Sequence, residues 1–226
     1  MTRLCGWVST AVFLLSLSMG SVASAACTNY ASEPKRLVDL ESAASKGALD
    51  DVAVACLETA YAASREQVTK GKISRVLLVN AYATDTAQWA LLVRRHLDEV
   101  DQSDPDVSYL YAFYLYNHGT PPADVIHWSD VGLERRQVWT GAVHVSRVTG
   151  LLRLRTLAAM TEWKALSLRA TDEAAVRPLA EEARVKTKTF AREWLDFARE
   201  AGRDTQQPTE ICLSAASAEA CGLGEP

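Results

Sequence analysis

Beyond about residue 34, apolar side chains return every three or four positions, the spacing of one face of an α-helix. No stretch alternates apolar and polar long enough to read as a strand between turn signals. Ala, Leu, Glu, Arg and Gln fill the periodic segments, and glycine and proline stand at a few breaks. Those breaks are Gly47, Lys70-Gly71, Asp104-Pro105, Gly119-Thr120-Pro121-Pro122, Thr171-Asp172 and Gly202. Between them the pattern predicts helices over 34–46, 49–64, 67–83, 86–100, 106–117, 122–135, 138–169 and 172–201. Thr86 and Thr171-Asp172-Glu173 suit N-cap positions. Pro178 suits a first turn, so it offers an alternative start for the last helix.

An internal repeat runs through this pattern. Ala53, Val54, Cys56, Leu57 and Tyr61 sit at helix-spaced positions. A shift of 36 gives Trp89, Ala90, Leu92, Val93 and Leu97, and a second gives Val125, Ile126, Trp128, Ser129 and Leu133. Only Ser129 departs from the apolar match. Each set reads as the inner face of the second helix in a helix–turn–helix unit, and a period of this size points to stacked helical hairpins.

Between residues 36 and 135 the chain resembles the tetratricopeptide-repeat superfamily. The resemblance rests on Ala90 to Leu97 followed by Asp104-Pro105-Asp106, then on Tyr109-Leu110-Tyr111-Ala112 leading to Asn117-His118-Gly119 and Ala123. The Trp-x-x-Leu-Gly-x-x-Tyr box of that family is absent, and the period exceeds its usual length of about 34. The two long helices after Arg136 fall outside the repeat. The resemblance implies an all-α superhelix of stacked hairpins, here closed by two longer C-terminal helices. It also implies a scaffold for a protein or peptide, with the first helix of each unit lining a concave face.

The first 25 residues read differently. Arg3 precedes an apolar stretch from Trp7 to Met19, and Ala23-Ser24-Ala25 follows as a small-residue cleavage pattern. That is the layout of a secretory signal peptide. The expected organisation is a signal peptide over 1–25, a helical repeat domain over 26–201 and a tail over 202–226. Removing the leader takes away Arg3 and no acid, moving the net charge from -4 to -5. An acidic balance excludes a concentrated basic footprint for nucleic acid or an anionic membrane surface.

Five cysteines are present, and Cys5 belongs to the leader. The other four, Cys27, Cys56, Cys212 and Cys221, make an even set in an exported chain, which points to two disulfides. Three pairings are open, of which Cys27–Cys56 and Cys212–Cys221 keep each bridge within one end of the chain. Cys27 has a second reading as the acylated cysteine of a lipoprotein, although Ser24 stands where such signals carry Leu. The expected location is the bacterial periplasm, with a lipid anchor through Cys27 as the alternative.

The densest chemistry lies at Tyr109 to His118. On a helix, Tyr111, Tyr114, Leu115 and His118 share a face, while Leu110, Phe113, Tyr114 and Asn117 share its neighbour. Tyr111, Tyr114 and His118 are the candidate groove, since tyrosine joins a large apolar body to a polar tip. The contrasting expectation is a buried helix whose tyrosines bond at its rim. The pairs Arg94-Arg95 and Arg135-Arg136 end successive second helices. Arg94 and Arg95 are candidates for an acidic peptide, against the simpler role of complementing a helix dipole.

No catalytic signature appears, so an enzyme is not expected. His96, His118, His127 and His144 lack metal-ligand spacing, and neither a nucleophile elbow nor a phosphate loop is present. Neither metal nor cofactor is expected. Glu181, Glu182 and Glu193 read as a solvated charged face beside Arg184, Lys186, Lys188 and Arg192. The 138–169 segment is strongly apolar, but Arg147, Arg153, Arg155, Glu162 and Lys164 exclude a membrane span. Its excess apolar surface leaves room for a homodimer. The rival to a scaffold is an envelope enzyme or small-molecule binder with His118, His144, Arg147 and Glu162 converging between the long helices.

Overall fold

The computed structural model describes residues 40–84 and 86–223. Among them every regular element is helical and no strand occurs. The chain falls into two compact units, one ending at Val100 and the other beginning at Asp101.

The first unit contains α1 (Asp51–Ala63), α2 (Gln67–Thr84) and α3 (Thr86–Glu99). Asp50 starts α1 by accepting the Ala53 amide at 2.7 Å. This satisfies a donor that no helical carbonyl can reach. α2 packs against both α1 and α3. The shared core holds Leu57, Ile73, Val76, Leu77, Trp89, Val93 and Leu97. Of the helix expected over 34–46, residues 40–44 are helical and a turn follows to Gly47; the remainder lies outside the described residues.

The second unit contains α4 (Pro105–Asn117), α5 (Pro122–Glu134), α6 (Gly141–Arg169), α7 (Arg177–Glu200) and α8 (Gln206–Ala215). Asp104 caps α4 by accepting the amides of Asp106 at 3.0 Å and Val107 at 3.2 Å, and Pro105 opens the first turn. α4 pairs with α5, α6 packs on both, and α7 pairs with α6 along the unit's main core. Val148, Leu151, Leu152, Trp194 and Leu195 fill that core.

Two expected helices are each divided. Residues 136–138 form a 3-10 turn, and α6 begins only at Gly141, whose φ of +53° takes the chain through the left-handed region. A second 3-10 turn, Ala174–Val176, precedes α7, which starts one residue before Pro178. The expected tail is largely helical. α8 packs along α7, and Cys212 bonds to Cys221 across the following 3-10 turn. Cys56, buried in α1, is also held in a disulfide. The pairing expected for it, with Cys27, falls outside the described residues.

The 36-residue register reappears as burial. The positions of Cys56, Leu57 and Tyr61 in α1 match Leu92, Val93 and Leu97 in α3, and Trp128, Ser129 and Leu133 in α5. All are buried except Trp128, which is half-buried; at the other two expected positions Trp89, Val125 and Ile126 are buried, but Ala53, Val54 and Ala90 are only half-buried. A further buried position, Ala60, His96 and Gly132, keeps the same register. It tolerates different chemistry because each neighbourhood compensates. His96 Nδ1 lies 3.0 Å from Ser74 Oγ. At Gly132 an added Cβ would stand 2.8 Å from Leu151 Cδ1.

Candidate functional site

α4 carries too many rings for one face, and the second unit divides them. Tyr109 and Phe113, 4.8 Å apart between ring centroids, turn towards α6. There Gly150 leaves space, since a Cβ at that position would lie 3.0 Å from the Tyr109 ring and 3.2 Å from that of Phe113. The Arg147 guanidinium sits 4.1 Å over Tyr109, with its Nε 3.9 Å from Asp106. Trp139 donates its indole N–H to the same carboxylate at 2.9 Å. These contacts make this half of α4 a junction with α6.

The other half carries the three residues expected to line a groove, and they do come together. Tyr111 and Tyr114 lie nearly parallel, 6.2 Å apart and 18° between planes. The His118 ring stacks on Tyr114 at 3.9 Å and 26°. His118 Nδ1 donates to the Tyr114 carbonyl at 2.8 Å, and Thr120 donates its hydroxyl to Leu115 O at 3.0 Å. Each side chain adds a second bond to a carbonyl that already accepts a backbone amide, Tyr114 O from His118 at 3.1 Å and Leu115 O from Thr120 at 3.2 Å. From α5, Trp128 meets Tyr111 edge-on at 5.5 Å, and His127 meets Trp128 at 4.9 Å. The row thus runs His118, Tyr114, Tyr111, Trp128, His127.

Exposure changes along the row. His118 and His127 are exposed, and Tyr114 and Trp128 are half-buried. Tyr111 retains only 8% exposure, so it forms the base of the row. What the arrangement offers is a rim of polarizable rings bearing imidazole and phenol groups, backed by an apolar core. Trp128 and His127 were outside the candidate set. Trp128 already held a repeat position, but nothing local signalled that α5 would bring it against Tyr111.

The arginines divide as well. Arg94 is exposed. Arg95 is engaged within the chain, gripping Glu58 through two nitrogens at 2.6 and 3.1 Å and lying 4.3 Å over the Tyr61 ring. Burial works to lower the Arg95 pKa, and Glu58 more than offsets it, so the net shift is upward. Burial pushes the Tyr61 hydroxyl up to about 12, helped by its 3.0 Å bond to Glu99. A similar tie ends α5, where Arg135 reaches Asp101 at 3.0 Å and the Ser103 hydroxyl at 2.8 Å. Burial works to raise the Asp101 pKa, but bonds from Ser103 and Arg135 hold it below the usual carboxylate value.

No protein-family pattern, curated protein or solved structure matches the chain. The site therefore rests on its own geometry.

The residues of the rival reading do not converge. His144 sits at the start of α6, with Nδ1 3.1 Å from Arg136 O and its ring 6.0 Å from Phe197. Glu162 is 18 residues further along the same helix, about 27 Å at the usual rise, and pairs with Lys186 at 3.4 Å. Arg147 is taken up by Asp106 and Tyr109. Among the described residues no cluster of His, Cys, Asp and Glu is arranged to hold a metal ion, and no helix is long and apolar enough to cross a membrane.

Glu181, Glu182 and Glu193 are exposed, as a solvated charged face requires, but Glu193 also takes part in a link between helices that was not expected. Glu193 binds Arg155, whose exposure is only 7%, and Arg155 also reaches Asp130 at 2.7 Å and stacks 4.1 Å from the Phe190 ring. One buried guanidinium thus ties α6 to α5 and α7. Helical periodicity places Glu193 near the edge of a polar face, but it does not show a cation from another helix reaching that edge.

Proposed function

We propose that this chain is an exported, non-catalytic scaffold that binds a protein or peptide partner in the bacterial cell envelope, with the periplasm as its location. Its helix pairs are of tetratricopeptide-like kind, and the ring row of α4 and α5 forms part of its contact surface. The observation that carries this reading is the exposed His118 ring lying flat on Tyr114 at the end of α4. Aromatic side chains held against an apolar base lose little conformational freedom on binding, which is why they dominate protein contacts.

Three further observations support it. The 36-residue burial register matches a repeat architecture. The Cys212–Cys221 disulfide and the signal-like leader fit an oxidising compartment. The polar residues of the rival catalytic reading are held apart by their own partners.

The test is affinity capture from envelope extract with the mature chain and with a double variant, Tyr114→Ala with His118→Ala. A partner retained by the native protein and lost with a folded variant supports the proposal. Equal recovery by both would remove the ring row from the contact surface.

A further inference from the structure

We draw no further inference here: the strongest candidate, the apolar patch at the free end of the α6–α7 hairpin where Leu168 is 73% exposed and Leu179 is 53% exposed, carries nothing because nothing in the structure shows what covers it.

Discussion

The His118 ring lies 3.9 Å from that of Tyr114, and the same histidine closes the end of α4 by donating to the Tyr114 carbonyl. One exposed residue thus extends the ring row and, through its amide and its ring nitrogen together, bonds the last turn of the helix that presents it. Tyr111, one turn before Tyr114, sits at the base of the row with 8% exposure.

This difference predicts unequal costs of truncation. Tyr111→Ala empties a site enclosed by Tyr114 and Trp128 and is expected to destabilise by about 3 kcal/mol, as deletion of a buried aromatic ring does. His118→Ala removes an exposed ring and one capping bond, and is expected to cost about 1 kcal/mol or less. Urea denaturation followed by circular dichroism separates the two. Equal losses would show that His118 belongs to the core.

Arg155 predicts a second asymmetry. Arg155→Ala removes a buried side chain packed on the Phe190 ring and the link between Asp130 and Glu193, with an expected cost of about 2–3 kcal/mol that comes mainly from lost packing. Asp130→Asn and Glu193→Gln act on carboxylates more than 40% exposed to solvent, and each is expected to cost about 1 kcal/mol. Thermal denaturation of the three variants tests the order. A silent Arg155→Ala would show that the network does not hold α5, α6 and α7 together.

Much of this was legible from spacing alone, for identifiable reasons. The bounds of α3 and α5 were readable to within a residue because turn residues act locally, as Pro121-Pro122 does at the start of α5. Gly141 was harder. Apolar periodicity runs through it, and only the left-handed backbone there divides the 138–169 segment. Arg155 and Glu193 were unreadable as partners because they lie 38 residues apart on two helices. The division of α4's rings depended on a small residue elsewhere, Gly150, making room for Tyr109 and Phe113.

Tyr61 predicts a dependence on alkaline pH. Its hydroxyl ionises at about 12 when folded and near 10 when unfolded, so between those values the folded state holds the proton more tightly. The resulting stabilisation is fully present below pH 10 and is lost as the pH rises towards 12. In Tyr61→Phe, that part of the stability loss between pH 10 and 12 is expected to vanish, together with one late-ionising tyrosine in the ultraviolet titration. An unchanged titration would place the late ionisation elsewhere.

The terminal bridge predicts a measurable staple. Replacing both Cys212 and Cys221 with Ala opens a loop with a sequence separation of 9. The chain-entropy estimate for so short a loop is about 2–3 kcal/mol. Both cysteines are fully buried, so the native bridge is expected to resist mild reductant until the protein is denatured. Thiol titration checks this. No free thiol is expected in the mature chain, and a reactive pair at Cys212 and Cys221 without denaturant would refute the staple.

The ring row can be tested where the protein acts. A photo-crosslinking residue placed at His118, in cells exporting the chain, is expected to trap one defined envelope protein. The same residue at Lys188, on α7, is expected to trap none. Identical adducts from both positions, or none from either while the protein is folded and exported, would contradict binding through the end of α4.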